Sequence, residues 1–245
     1  MNVHNEIQMT TLTVQLYLIP CGLSTETAPE LYLSASTLEI IRKLKVFIVE
    51  NEKSARAFLK QCAIETPQSE LTIFELDKHD PKQNINAFLD PLKNKIPTGL
   101  LSEAGCPAVA DPGARVVAAA HKANIKVKPL VGPSSILMAL MASGLDGQRF
   151  CFHGYLPIDR ADRIKTLQQL ERSAQQRNET QIFIEAPYRN NPMLKDLLTA
   201  CNNETRLCIA SNIDTPQEVI RTLRIQDWKK QIPDLHKMPV VFLIL

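Results

Sequence analysis

The stretch from Gly99 to Gly113 constrains the fold more than any other part of the chain. It reads G-L-L-S-E-A-G-C-P-A-V-A-D-P-G, so that a short apolar run is followed by two prolines and two further glycines. Glycines can take positive φ or let a ligand touch the backbone, whereas Pro107 and Pro112 fix φ and remove two N–H donors. No helix or strand continues through such a segment. A stiff loop with few side chains after a buried strand predicts a small-molecule site.

A second strand-to-loop junction follows at residues 129–135. This segment reads P-L-V-G-P-S-S at the end of an apolar run, and the next residues, 136–143, have a helical pattern. Two such junctions close together in sequence predict two neighbouring parallel strands. Their carboxyl ends would frame one pocket.

Composition indicates a soluble chain with a large core. The 245 residues are 44% hydrophobic, which allows one large or two modest domains. No apolar run reaches the roughly 18 residues that cross a bilayer, and the N-terminus lacks the basic start and apolar core of a signal peptide. We therefore expect a cytoplasmic protein without a membrane segment. The formal net charge of +2 neither requires nor excludes a polyanionic partner.

Several classes of chemistry are disfavoured by missing motifs. The six cysteines contain no C-x-x-C pair, and the five histidines show no metal-ligand spacing, so we expect reduced thiols and no metal. No G-x-G-x-x-G follows the first strand, and neither a Walker A sequence nor a G-x-S-x-G elbow is present. These absences argue against a Rossmann-type dinucleotide site, a P-loop and a serine hydrolase.

Hydrophobic periodicity predicts an α/β fold in two parts. The pattern breaks at residues 144–147, G-L-D-G, which predicts a boundary between domains of residues 12–147 and 148–245. Repeated strand–helix alternation in the first part predicts a mostly parallel sheet covered on both faces. The predicted strands are residues 12–19, 45–50, 71–76, the apolar run before Ser102, 125–131, 149–153, 180–184, 206–211 and 240–245. The predicted helices are residues 30–44, 52–61, 84–92, 112–123, 136–143, 159–174 and 191–200, with 218–223 a helix or a strand.

Four ordered segments carry a resemblance to a known family. The central S-E-A-G-C-P-A-V-A-D-P-G resembles the S-D-A-G-T-P-x-x-x-D-P-G signature of the class III S-adenosylmethionine-dependent methyltransferases, the tetrapyrrole methylase superfamily. Residues 129–135 are similar to P-L-P-G-P-S-A, residues 149–157 to R-F-x-x-x-G-F-L-P, and residues 183–189 to F-Y-E-S-P-H-R. Within the superfamily the chain most resembles the small-subunit ribosomal RNA 2′-O-ribose methyltransferases.

The resemblance implies a fold, a cofactor and a partner. The implied fold has two α/β domains with mixed, mostly parallel sheets and a cleft for S-adenosylmethionine between them. The implied substrate is small-subunit ribosomal RNA, and the implied assembly is a homodimer. The residues implied to bind the cofactor from the loops are Pro20, Gly22, Ser102, Ala104, Gly105, Cys106, Val109, Ser134 and Ser135. The residues implied to wall its adenine are Phe183, Ile184, Ala210 and Met238.

Three side chains are candidates for the catalytic work. Transfer of a methyl group from a sulfonium needs in-line placement and help in removing the proton of the accepting hydroxyl. Glu103, which stands where the family has aspartate, and Glu185 are candidate bases, and Arg189 is a candidate fork for phosphate or carboxylate. Alternatively, both carboxylates only hold loops by accepting backbone N–H bonds.

Departures from the family pattern leave other functions open. The family segments T-P-I-G-N, E-D-T-R and A-R-E-L-T-K appear here as I-P-C-G-L, E-N-E-K and A-S-N-I-D-T, and of H-x-H-N-E only His79 is clearly retained. The chain could be a diverged methyltransferase with a tetrapyrrole-like or unknown substrate, or a cofactor-binding regulator without catalytic activity. A basic run would suit an RNA backbone, although a solvated helix face explains it equally well. That run comprises Arg160, Arg163, Lys165, Arg172 and Arg177.

Overall fold

The computed structural model describes residues 12–77, 80 and 82–245, which form two compact units. Unit 1 is Met1–Pro133 and unit 2 is Ser134–Leu245. The division falls before the apolar helix that begins at Ser135, whereas the sequence predicted a boundary after it, at residues 147 and 148. The helix belongs to unit 2 because it packs against the strands of that unit's sheet. The predicted His79 and residues 1–11 lie outside the described residues.

Within the described residues, unit 1 contains one sheet of five parallel strands, as the strand–helix alternation predicted. Its order is β3-β2-β4-β1-β5. β1 lies between β4 and β5, with Leu16 opposite Thr98 of β4 and Val127 of β5, so the two strands that the sequence predicted to be neighbours each pair with β1 and not with each other. The strands are β1 Leu16–Ile19, β2 Val46–Val49, β3 Thr72–Glu75, β4 Thr98–Leu101 and β5 Val127–Pro129.

Helices cover both faces of this sheet because successive strand residues point to opposite sides. Tyr17 and Phe47 pack in the core with the first two helices, whereas Leu16 and Leu100 pack on the other face with the fourth. The predicted helix over residues 84–92 is instead a 3-10 segment followed by a short helix that begins at Asp90. Pro91 is tolerated in a first turn but would break a longer helix. The helices are α1 Ala35–Lys43, α2 Glu52–Gln61, α3 Asp90–Lys93 and α4 Ala114–Lys122.

Unit 2 contains a mixed sheet of five strands within the described residues, in the order β6-β7-β10-β8-β9. Only β6 and β7 pair in parallel, and the other neighbours are antiparallel. Only seven residues separate β8 from β9, which is too few for the crossover that a parallel pair needs, so the two strands pair antiparallel. The open assignment of residues 218–223 therefore resolves to a strand. The strands are β6 Phe150–Tyr155, β7 Thr180–Ile184, β8 Arg206–Ser211, β9 Val219–Arg224 and β10 Val240–Ile244.

One face of the second sheet carries the main core of unit 2. The rings of Phe183 and Phe242 stack there with centroids 5.8 Å apart, among buried residues of α6 and α7. The apolar helix α5 packs against β8, β9 and β10. No helix among the described residues has the length and hydropathy to span a bilayer. The helices are α5 Ser135–Ser143, α6 Arg160–Arg177, α7 Asn190–Ala200 and α8 Ile225–Trp228.

A buried ion pair joins α6 to α7 and uses part of the basic run. The Arg163 guanidinium lies 2.6 Å from a carboxylate oxygen of Asp196 and also donates to the carbonyl of Ile158 at 2.8 Å. Arg160 donates to the other oxygen of Asp196 at 2.9 Å. Since Arg163 is only 6% exposed, it cannot contact an RNA backbone, and that interpretation of the run fails at this residue. For the other cations of the run, contact with an RNA backbone and a solvated helix face both stay open as interpretations.

The Asp196 pair predicts a large and local effect on stability. Asp196→Asn should lower the free energy of unfolding by about 3 kcal/mol, because it leaves the buried Arg163 cation without its counter-charge. Lys165→Gln is the control, since this exposed lysine makes only a 3.7 Å pair with Asp162, and its effect should stay within about 0.5 kcal/mol. Urea denaturation of both variants measures the difference. Equal effects would contradict the assignment.

Candidate functional site

The carboxyl ends of β1 and β4 lie side by side, but the chain leaves them on opposite faces of the sheet. β1 leads to α1 on one face and β4 leads to α4 on the other. In open α/β sheets such a divergence opens a crevice in which ligands bind. The loop after β4, which the sequence singled out, therefore begins at the expected place for a site, beside the loop after β1.

A pair of backbone hydrogen bonds joins these two loops. The amide of Cys21 donates to the carbonyl of Gly105, and the amide of Gly105 donates to the carbonyl of Cys21, both at 3.0 Å. The Ser102 hydroxyl donates to the same Gly105 carbonyl at 2.8 Å. Gly105 has a φ of +72°, which a residue with a side chain adopts only with strain. The structure thus brings residues 20–22 and 102–105 together.

The loop after β5 contacts both of them. A Cβ added to Gly132 would lie 2.1 Å from the Cγ of Pro20, so glycine is required for this close approach. The Cys106 thiol donates to the carbonyl of Pro133 at 3.3 Å, and burial raises the pKa of this thiol. Cys106 is therefore a protonated structural contact at neutral pH, not a nucleophile.

A strained turn follows in the central loop. Ala108 and Ala110 have φ values of +66° and +59°, in the left-handed region that costs an alanine about 1 kcal/mol or more. A carboxylate oxygen of Asp111 accepts hydrogen bonds from the amides of Ala108 and Gly113 at 2.8 and 2.7 Å, which holds the turn. Burial raises the pKa of Asp111, and these two donors oppose that rise. The turn leaves Val109 at its exposed tip.

Glu103 is exposed and fastened to the start of α2. The Ser54 hydroxyl donates to its Oε1 at 2.6 Å, and the amide of Glu103 donates to Oε1 of Glu50 at 3.3 Å. Asn51 caps the same helix by accepting from the Ser54 amide at 3.1 Å. The carboxylate thus holds the central loop against a neighbouring helix. The role of Ser54 was not predicted from the sequence. Its only signal there is its position three residues after a capping asparagine.

The remaining residues implied to bind the cofactor lie at different depths and in different units. Ser102 and Gly105 are buried, Cys106 and Gly22 are partly exposed, and Ala104 is exposed. Ser134 and Ser135 belong to unit 2, where the Ser134 hydroxyl caps α5 by accepting from the amide of Leu137 at 3.5 Å. The loop after β5 is thus divided between the units: residues up to Pro133 belong to unit 1, and Ser134 and Ser135 belong to unit 2.

The four residues implied to wall the adenine do not share one face of the second sheet. Ile184 and Ala210 both lie opposite Val241 of β10, so their side chains point to the same side. Phe183 points to the other side, where it is fully buried against Phe242. Met238 lies outside the strands, and its carbonyl accepts from the Asn190 side chain at 2.7 Å.

Glu185 and Arg189 form a buried ion pair at the end of β7. Their oxygen and nitrogen atoms are 2.6 Å apart, and the same oxygen of Glu185 accepts from the Ala186 amide at 2.7 Å. The Glu185 side chain is 1% exposed, whereas that of Arg189 is 20% exposed. Among the described residues, no partner is found for three buried atoms of this motif, Oε2 of Glu185, Nε of Arg189 and Oδ1 of Asn190. The motif therefore retains hydrogen-bonding capacity that the rest of the fold does not use.

Unit 2 also contains a partly open cavity of about 370 Å³ that was not predicted from the sequence. It lies beside β8 and β9, and its wall includes Ser211 and Asn212 of the segment that departs from the family pattern. Residues 231–238 form the opposite wall, and Asn191 holds them through hydrogen bonds to Asp234 and Leu235 of 2.7 and 2.8 Å. The further lining residues are Ile209, Gln217, Val219, Arg221 and Trp228.

Metal ligation and disulfide formation find no support in the part of the chain that the structure describes. No group of three His, Cys, Asp or Glu residues there is arranged to hold a metal ion. All six cysteines are free. Burial raises the pKa values of the Cys62 and Cys201 thiols to about 12, which keeps both protonated at neutral pH.

Known proteins similar to this chain are methyltransferases. Ribosomal RNA small subunit methyltransferase I of Pseudomonas aeruginosa is 30% identical over 199 residues, which cover 80% of this chain and 67% of that protein. The protein of the same name from Haemophilus influenzae is 27% identical over 96% of this chain and 80% of its own length. The crystal structure of the methyltransferase CobJ superposes with a TM-score of 0.62 at 18% identity, over 94% of this chain and 93% of that one.

The match to a family extends over most of the fold. Residues 16–228 match the family described as Tetrapyrrole (Corrin/Porphyrin) Methylases, from the start of β1 to the end of α8. The likeness to CobJ, at 18% identity, shows the fold. The chain belongs to the tetrapyrrole methylase family and is a methyltransferase.

Proposed function

We propose that this chain transfers the methyl group of S-adenosylmethionine to a ribose 2′-hydroxyl of small-subunit ribosomal RNA. The observation that supports this substrate is the similarity, over 80% and 96% of this chain, to two enzymes named as ribosomal RNA small subunit methyltransferases. The ribose hydroxyl follows from the resemblance of residues 149–157 and 183–189 to the 2′-O-ribose methyltransferases. The joined loops after β1, β4 and β5 support the cofactor.

The loops of unit 1 suit a nucleoside cofactor. They are rich in glycines and small side chains, and Ala104 and Val109 among them are exposed, so that a ligand can approach these loops closely. We assign cofactor contacts to residues 20–22, 102–109 and 134–135. S-adenosylmethionine would supply a methyl group activated by the positive charge of its sulfur. Residues of the chain then need to orient the donor and the hydroxyl and to take up a proton.

Glu103 and Arg189 are the candidates for the remaining work. Glu103 is exposed, and the Ser54 hydroxyl fixes its direction, so a hydroxyl proton can reach its carboxylate. Arg189 presents a partly exposed guanidinium that suits a phosphate oxygen. Glu185 is buried in its pair with Arg189, so we assign it the positioning of that arginine and not contact with substrate.

A second candidate function has a specific observation in its favour. Residues 210–215 depart from the family pattern, and Ser211 and Asn212 line the cavity of unit 2. A changed lining would suit a methyltransferase of the same superfamily that has diverged to act on another substrate. A cofactor-binding regulator without catalysis is the third possibility, and it predicts binding without turnover.

Assembly and location complete the proposal. A homodimer would give a ribosomal substrate a wider platform than one chain offers, and light scattering at micromolar concentration tests it, since a monomer mass would contradict it. A cytoplasmic location follows from the proposed substrate.

The direct test of function is methyl transfer into ribosomal subunits. Small subunits from a strain that lacks this modification should accept labelled methyl groups from S-adenosylmethionine in the presence of the chain. Nuclease digestion should place the label on a ribose and not on a base. Subunits from the parent strain, which already carry the methyl group, are the control and should accept none. Cofactor binding without transfer to either subunit would contradict the proposal and favour the regulator.

Glu103→Gln separates catalysis from loop support. A lost general base should lower turnover by about 10²-fold while the affinity for S-adenosylmethionine stays nearly unchanged. Ser54→Ala is the matched control, because it removes the hydrogen bond to Glu103 and keeps the carboxylate, and it should lower turnover far less. Single-turnover kinetics and calorimetric titration measure the two quantities. If both variants lose cofactor affinity and turnover in proportion, Glu103 only supports the loop.

A further inference from the structure

Tyr188 is an aromatic side chain held at the surface beside a cation. The residue is 66% exposed, and the guanidinium carbon of Arg189 lies 5.6 Å from the centre of its ring. Within the motif that residues 183–189 resemble, histidine occupies this position, and tyrosine stands in its place here. A ring of this size left in water, with a cation beside it, is suited to stacking a second planar group.

The backbone around Tyr188 is fixed from both sides. Residues Pro187–Arg189 form a 3-10 turn in which the Arg189 amide donates to the carbonyl of Ala186 at 2.8 Å. The carbonyl of Pro187 accepts from the amide of Lys237 at 3.1 Å, which attaches the turn to residues 233–238. A ligand that binds here would order little of the chain, so less conformational entropy opposes its binding.

The cation is fixed as well, by a carboxylate that cannot itself reach a ligand. Glu185 lies 2.6 Å from one terminal nitrogen of Arg189 and is 1% exposed at its side chain. The Arg189 side chain is 20% exposed. One edge of the guanidinium is thus anchored, and its exposed part can donate to an anion such as a phosphate.

We propose that Tyr188 and Arg189 form a platform for one unpaired nucleotide of RNA, with the tyrosine ring stacked on the base and the guanidinium bound to the adjoining phosphate. Glu185 is a positioning residue that acts through Arg189. The platform rests on the proposed RNA substrate and adds where a single nucleotide is held. Unpaired bases stacked on aromatic side chains, with a cation on the backbone, are the usual mode of single-strand recognition.

Fluorescence anisotropy with a labelled, unstructured RNA oligonucleotide tests the platform on the full chain. Tyr188→Ala should weaken binding by about tenfold, in the range of one lost stacked base, and Tyr188→Phe, which keeps the ring, should restore most of it. Tyr155→Ala is the matched control, since this tyrosine of unit 2 is 59% exposed and lies outside the platform. Equal losses in Tyr188→Ala and Tyr155→Ala, or no loss in either, would overturn the proposal.

A double-mutant cycle tests the role of Glu185. Arg189→Ala should weaken binding and reduce the salt dependence of the affinity by about one phosphate contact. Glu185→Gln should do the same in the native chain but nothing further in the Arg189→Ala background. Since Glu185→Gln could also destabilise unit 2, its thermal unfolding is measured in parallel. A loss of stability without a change in the salt dependence would show that Glu185 does not position Arg189 for RNA.

The outcomes distinguish the platform from the proposed function. Methyl transfer to small subunits that Tyr188→Ala leaves unchanged, with unchanged oligonucleotide binding, would remove the platform and keep the function. Oligonucleotide binding that depends on Tyr188 and Arg189, without methyl transfer, would keep the platform and remove the function. Weakened methyl transfer with unchanged oligonucleotide binding would show that the ring acts in methyl transfer without stacking on the oligonucleotide, which also overturns the RNA platform.

Discussion

The two hydrogen bonds between Cys21 and Gly105 are the contact on which the candidate site depends. They join loops that follow different strands, and they form only because β1 and β4 are parallel neighbours with their carboxyl ends at one edge. Gly105 can make both bonds because it adopts positive φ, and Ser102 adds a third bond to its carbonyl. Once these loops are joined, the glycine at 132 lets the loop after β5 approach Pro20. A candidate site rich in backbone groups is thereby assembled from the loops that follow three strands.

The two candidate carboxylates illustrate how residue type alone leaves a role open. Glu103 and Glu185 stand in family motifs at the ends of buried strands, and each turns out to hold another group in place. Glu103 accepts from Ser54 and remains exposed, so support and catalysis are compatible there. Glu185 is buried against Arg189, so its influence on a substrate passes through the arginine. Exposure, not charge, separates the two.

The fold could be predicted from the sequence where the signal is local. Continuous apolar runs marked β2 and β4 because parallel strands are buried on both faces, and prolines and glycines marked the loops after them. The prediction of one helix over residues 84–92 was wrong, because Pro91 is tolerated only in the first turn of a helix, and the observed helix begins at Asp90. The break at residues 144–147 marks a turn, whereas the packing of α5 decides which unit that helix joins, and a local pattern does not encode such packing. Ser54 meets Glu103 across 49 residues, a contact that periodicity does not encode.

The central claim is that the joined loops of unit 1 hold S-adenosylmethionine. Calorimetric titration of the cofactor into the native chain and into Gly105→Val tests it most directly. The native chain should bind one cofactor per chain, and the variant should bind much more weakly, because a β-branched residue cannot adopt the φ of +72° that both bonds to Cys21 require. No binding heat with the native chain, or equal affinity in the variant, would contradict the claim.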